Sequence, residues 1–260
     1  MAVVQRDKTD YGVDAPGVMR NFFLSGGACL LLAVCAPNFV HLGPVTIDAR
    51  SFFWPAGVLL GEGLLFLLYV KVGKFRHRDF MLGLHAWTGD EEVLDVGWGR
   101  GLLLAGAAKR MEALKGTGRG TGIDIWSSVD MGGNAEGETR RNLELEGVPG
   151  RCTLVSEPAE EMRFASGSFD VVVSNLCLHN IPDRAARARA VQQIARVLKP
   201  GGQALISDYK KTGEYAAELR RSGLEVRMRW GSWLTTFPPL RVVIARKPVS
   251  DASKASSASN

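Results

Sequence analysis

Cysteine is scarce in this 260-residue chain, and Cys29, Cys35, Cys152 and Cys177 show neither metal-ligand nor disulfide spacing. A zinc module and a disulfide-stapled secreted domain are therefore poor readings. Small apolar thiols in a reducing compartment fit better. Charge of one sign is not dominant either, with a net of only +5. Arg184, Arg187, Arg189 and Arg196 recur along one stretch without interleaved exposed aromatics. That argues against nucleic acid and for a solvated helix face or attraction to anionic lipid. The G-x-G-x-x-G spacing of a diphosphate-binding turn is also missing. In VLDVGWGRG the glycines are Gly97, Gly99 and Gly101, and position 102 is Leu.

Long apolar runs, by contrast, are present. Phe22 to Val40 holds no charge, and Ser51 to Val70 holds one, Glu62. Each has the length that crosses about 30 Å of hydrocarbon as a helix. Gly43 and Pro44 break the short link, so a two-helix transmembrane hairpin is expected over 22–40 and 51–70. Lys71, Lys74, Arg76 and Arg78 follow the second run. Positive flanks stay on the cytoplasmic side, which sets both termini and the following domain there. The domains expected are a cytoplasmic segment 1–21, the hairpin, a basic juxtamembrane linker 71–83, a catalytic domain 84–247 and a disordered tail 248–260. Gly57 and Gly61 form a G-x-x-x-G pair, with Gly26, Gly27 and Ala28 as a matching small face. Glu62 serves either hairpin packing or a lipophilic substrate path.

Beyond residue 80, strand and helix patterns alternate. Strands are expected at 92–96, 122–125, 151–155, 169–174, 203–207, 224–229 and 241–246, with helices at 102–115, 136–146, 184–198 and 214–222. The outcome is an α/β, doubly wound, mostly parallel seven-stranded sheet behind a membrane hairpin.

Several stretches together carry a resemblance: DVGWGRG after a strand, GIDIW after the next, FDVVVSNLCLHNIPD, RVLKPGG and the strand ALISD. They resemble the motifs of class I S-adenosylmethionine-dependent methyltransferases, over roughly 84–247. The segments GIDIWSSVDMGGN and VSNLCLHNI resemble a membrane-tethered small-molecule subgroup. The resemblance implies S-adenosyl-L-methionine as cofactor and a Rossmann-like fold. It implies that Asp95 orders the loop and helps hold the amino acid end. Gly97, Gly99 and Gly101 admit the methionyl chain and ribose, Asp124 takes the ribose hydroxyls, and Ile125 packs on adenine. Asn175 lines the methionyl side. Trp98, where relatives carry a small residue, either covers the cofactor or shifts the loop. Relatives place an acid before Ala159, and this chain has Pro158, so Glu157 or Glu160 substitutes or apolar contacts suffice.

Methyl transfer needs alignment and dryness, and calls for no metal. His179 is the candidate base, with a structural histidine as the alternative. Tyr209 is a candidate for the acceptor pocket. Trp230, Trp233 and Phe237 read as core more readily than as pocket. The missing Asn-Pro-Pro-aromatic motif at Asn175 argues against nucleic acid or protein amine acceptors. The expected function is a membrane-anchored methyltransferase of a small, lipophilic acceptor. Its rivals are a methyltransferase of a protein or other soluble acceptor, and a non-catalytic scaffold.

Overall fold

The computed structural model describes residues 8–125, 136–233 and 236–249. The tail from 250 onward and the whole WSSVDMGGN stretch, 126–134, lie outside them. Helix α1 spans Pro16–Cys35, and α2 spans Phe53–Leu68. A π-helical turn, Tyr69–Gly73, joins α2 without a break to α3, Lys74–Leu82. Strands β1 (Phe39–Leu42) and β2 (Val45–Asp48) form an antiparallel pair between the helices.

The first apolar run therefore differs from the expected helix 22–40. Pro16 opens the helix at its first turn, where its missing N–H costs nothing. Pro37 follows the helix end and Phe39 and Val40 are strand. The expected linker 71–83 is helix for most of its length. Two helices among the described residues, Pro16–Cys35 and Ala49–Leu82, are long and apolar enough to cross a membrane. Leu24, Leu31, Val34, Trp54 and Leu64 point outward on them.

The helices approach each other through small residues, but not the expected pair. A Cβ on Gly26 would meet Leu60 at 2.9 Å, and one on Gly63 would meet Phe23 at 3.1 Å. Gly57, Gly61 and Gly27 face open space. A helix repeats every 3.6 residues, so a G-x-x-x-G pair marks a face without saying which face is turned inward.

Behind the hairpin lies a seven-stranded sheet in the order β5-β4-β3-β6-β7-β9-β8. Its strands are β3 (Glu92–Val96), β4 (Arg119–Asp124), β5 (Cys152–Ser156), β6 (Phe169–Asn175), β7 (Leu198–Asp208), β8 (Glu225–Trp230) and β9 (Arg241–Arg246). All pairings are parallel except those of β9 with β7 and β8. The connecting helices are α4 (Leu102–Ala113), α5 (Glu136–Leu145), α6 (Arg184–Val197) and α7 (Thr212–Arg221). They cover both faces, over one core around Leu94, Val172, Ile194 and Leu219 and another around Val93, Leu104, Met111 and Val171. Val171, Val172 and Val173 are buried on both sides, which explains the continuous apolar run FDVVVS.

The order reverses at β3, whose neighbours β4 and β6 continue in opposite directions across the sheet. A crevice opens beyond the carboxyl ends of strands at such a point. A third cluster, Phe66, Tyr69, Val70 and Leu240 with Phe22, Leu176 and Phe237 against it, fastens the helices to the sheet domain. Phe237 meets Phe22 and Phe66 edge-on at 6.3 Å. Arg187 and Arg196 depart from the expected solvated face. Arg187 is buried and pairs with Glu214 at 2.8 Å, while Arg196 donates to the Met162 and Phe164 carbonyls.

Candidate active site

A cavity of about 870 Å³ occupies the crevice. Of the glycine loop, Gly97 and Gly99 line it, and Gly101 does not. Gly97 has a φ of 74° and the Cys177 Sγ lies 2.1 Å from where its Cβ would be. No other residue fits that turn. Gly101, with a φ of 81°, starts α4 behind the loop. The Thr139 hydroxyl donates to the Gly99 carbonyl at 2.9 Å, and Asn142 Nδ2 donates to the Arg100 carbonyl at 3.0 Å, so α5 holds the loop from outside.

Asp124 closes β4 on the cavity wall and accepts the Gly99 amide on Oδ2 at 3.0 Å. Ile125, Ala159 and Asn175 line the same cavity, with Ile123, Glu157 and Glu160. Glu157 is buried and accepts the Arg163 amide. Both glutamates weighed as substitutes for the acid missing at Pro158 therefore face the cavity, and Pro158 itself does not.

Besides Gly101, two expected residues stand elsewhere. Asp95 is 1% exposed and does not reach the cavity wall. Its Oδ2 accepts the Leu104 amide at 3.0 Å, which ties the loop to α4, and its Oδ1 is buried with no hydrogen bond. Burial pushes its pKa up to about 8, against the Leu104 hydrogen bond and helped by the Asp124 charge. Trp98 is buried among Leu103, Leu104, Leu143 and Val148, and a Cβ on Gly122 would fall 2.0 Å from its ring. It covers the sheet, not the cavity. Gly97 and Gly99 face the crevice while the residue between them faces the other way.

His179 sits on a short turn, Leu178–Asn180, just after β6, and lines the cavity. Its Nδ1 lies 2.9 Å from Oδ1 of Asp208, the last residue of β7. Asp208 is fully buried and also accepts from the Tyr215 hydroxyl and the Tyr209 amide. Tyr209 lines the cavity and meets the His179 ring edge-on at 4.8 Å. Asp208 carries no assignment from the sequence. The signal was a carboxylate closing a strand next to the one that delivers His179.

The remaining wall comes from Asp14 ahead of α1, Val18 and Phe22 within it, Phe66 and Tyr69 of the second helix, and, from near the other end of the chain, Phe237 with Pro238. Phe237 is pocket wall, not only core. The sequence reading weighed Glu62 for a substrate path along the helices; the helix residues that line the cavity are Val18, Phe22, Phe66 and Tyr69 instead.

The ionisable groups on this wall decide what it can hold. It carries four carboxylates, Asp14, Asp124, Glu157 and Glu160, and no lysine or arginine among the described residues. S-adenosylmethionine, with an ammonium, a sulfonium and one carboxylate, is a net cation and suits that wall. Asn175 lines the cavity beside Tyr69, and its Oδ1 is buried without a hydrogen bond. The volume falls within the range of small-molecule sites. The residues therefore fit the cofactor.

Residues 94–206 match the family model described as a methyltransferase domain. The ubiquinone/menaquinone biosynthesis C-methyltransferase of Vibrio campbellii is 33% identical over 121 residues, 46% of this chain and 42% of that protein. The chain thus spans less than half the length of such relatives. A S-adenosylmethionine-dependent methyltransferase from Aquifex aeolicus shares the fold with a TM-score of 0.53 at 16% identity, over 71% of this chain and 97% of that one. The [4+2]-cyclase SpnF does so with a TM-score of 0.54 at 15% identity, over 94% of this chain and all (100%) of that one. The glycine loop, the strand order and the acidic crevice agree with the sequence match of residues 94–206 to a methyltransferase domain, and the residues of the crevice support S-adenosylmethionine as the cofactor.

Proposed function

We propose that the chain is a membrane-anchored enzyme that methylates a small, lipophilic acceptor, with its catalytic domain and both termini on the cytoplasmic side. The observation that carries this reading is the shared cavity. Gly97, Gly99 and Asp124 bound one side, and Val18, Phe22 and Phe66 of the two apolar helices bound another. An acceptor resting on those side chains meets an apolar, aromatic surface borne by the same two helices that carry outward-facing apolar side chains. The printed name of the Vibrio relative, a quinone-biosynthesis methyltransferase, is consistent with such an acceptor. Lys71, Lys74, Arg76 and Arg78 support the orientation.

In this reading Gly97 and Gly99 bring the backbone close to the cofactor, Asp124 takes its ribose hydroxyls, and Ile125 and Ala159 flank the adenine. Bound S-adenosylmethionine supplies an activated methyl group. The protein's task is to align the acceptor and exclude water. A carboxylate can only accept, so Asp208 fixes the proton of neutral His179 on Nδ1. That leaves Nε2 to take a proton from the acceptor as the new bond forms. Phe22, Phe66 and Phe237 keep water from that step.

Membranes containing the protein, incubated with cofactor radiolabelled on the methyl group, test the reading. Label is expected in an organic-solvent extract. Label confined to protein would replace it with a protein acceptor, and binding without any transfer would replace it with a scaffold.

A further inference from the structure

The segment before α1 crosses the cofactor end of the cavity as a strap held at both ends. Asp10 pairs with Arg100 of the glycine loop at 2.5 Å, and its amide donates to Asn142 Oδ1 at 2.9 Å. The Tyr11 hydroxyl donates to Glu146 at 2.8 Å. From the other side Lys74 Nζ donates to the Tyr11 carbonyl at 2.8 Å and the Gly12 carbonyl at 2.5 Å. These bonds set the next residue but one, Asp14, on the cavity wall.

Asp14 is placed there without being satisfied. Its Oδ2 is shielded from solvent and accepts no hydrogen bond. Lys74 stands 4.0 Å away, beyond hydrogen-bond distance, with two of its three protons engaged by the strap carbonyls. Burial raises the Asp14 pKa more than Lys74 lowers it, the mark of a carboxylate short of a cation. Tyr69 interacts with both Asp14 and the Asn175 amide, so the second unsatisfied acceptor, Asn175 Oδ1, belongs to the same wall. Two unsatisfied acceptors on one wall, one of them ionic, suit a donor with several protons and a positive charge.

The bound cofactor carries one such group, the α-ammonium of its methionyl end. The loop carboxylate expected to serve it is not on the wall, because Asp95 lies behind the turn and is engaged by Leu104. We infer that Asp14, on the strap ahead of the first apolar helix, binds the α-ammonium of S-adenosylmethionine together with Asn175 Oδ1. The strap thereby becomes part of the cofactor site, and the front of the chain serves cofactor as well as acceptor.

This rests on S-adenosylmethionine occupying the crevice, so the test must separate the two claims. Full-length protein in detergent is titrated calorimetrically with S-adenosylhomocysteine and with its desamino analogue, for the wild type, Asp14→Asn and Asp124→Ala. Wild type is expected to bind the desamino analogue roughly 10- to 100-fold more weakly, the worth of one charge-assisted hydrogen-bond set. Asp14→Asn is expected to bind S-adenosylhomocysteine weaker by a similar factor and the desamino analogue as wild type does. Equal weakening toward both ligands, or toward neither, overturns the assignment of Asp14 while Asp124→Ala still reports on the ribose. Failure of wild type to bind either ligand overturns the cofactor site itself. Asn keeps the size of Asp, and a melting curve matching wild type confirms that the strap is intact.

Discussion

Nδ1 of His179 lies 2.9 Å from Oδ1 of Asp208, across 29 positions of sequence and from the ends of two adjacent parallel strands. The pair turns a lone loop histidine into an oriented one. Asp208 is in turn held by Tyr215 and by the Tyr209 amide, so the imidazole is fixed by a carboxylate that cannot move away.

If His179 takes the acceptor's proton, His179→Ala lowers kcat by about 10²- to 10⁴-fold, the usual contribution of a positioned base. Asp208→Asn, which offers Nδ1 a competing donor and favours the wrong tautomer, lowers it by roughly 10²-fold or more. Cofactor affinity is expected to stay near wild type in both. A rate unchanged in His179→Ala removes the base from the mechanism.

Asp124 accepts the Gly99 amide and has its carboxylate on the cavity wall. Asp124→Ala is expected to weaken S-adenosylmethionine binding by about 10- to 100-fold, through loss of charge-assisted hydrogen bonds. Calorimetry on the full chain checks this, and equal affinity would remove the ribose assignment.

Phe22 and Phe66 face the cavity from two apolar helices, and Phe237 touches both. Phe66→Ala deletes an aromatic surface worth about 1.5–3 kcal/mol when buried. The expected result is a KM for a long-tailed acceptor raised roughly 10-fold or more, with the cofactor KM unchanged. A short, polar acceptor should show no such effect. A rise common to all acceptors would mean the residue acts only through packing.

Asp95 gives the cofactor-free protein a pH dependence. Its folded pKa of about 8 lies above the unfolded value near 3.8, so the folded state holds the extra proton between them. Stability from this group is complete below the lower value and is lost as pH rises through the higher one. The slope in that window reaches about 1.4 kcal/mol per pH unit. Asp95→Asn should flatten the melting temperature between pH 5 and pH 8. A wild-type profile already flat there would mean that the carboxyl ionises freely.

Local order was largely legible. The strand before the glycine loop and the continuous FDVVVS strand follow from patterns a few residues long, and Gly97, Gly99, Asp124, Ile125, Ala159 and Asn175, singled out by the resemblance, all line the cavity. Trp98 was misplaced because alternation around a turn was not applied to the loop itself. The first apolar helix was set too late because hydropathy outweighed Pro16 and Pro37, which govern where an N–H is missing.

Sequence alone determined the fold class and the place of the crevice, and its motifs' resemblance to a known family pointed to the cofactor, because strand period, glycine turns and carboxylates at strand ends act through near neighbours. Only the tertiary structure decided which distant groups complete the site. Asp10 meets Arg100 across 90 positions, Lys74 reaches the Gly12 carbonyl across 62, and Phe22 meets Phe237 over the cavity mouth. Such contacts leave no periodic trace. They form because the two apolar helices must bury one edge against the sheet domain, and the edge they bury is the rim of the active site.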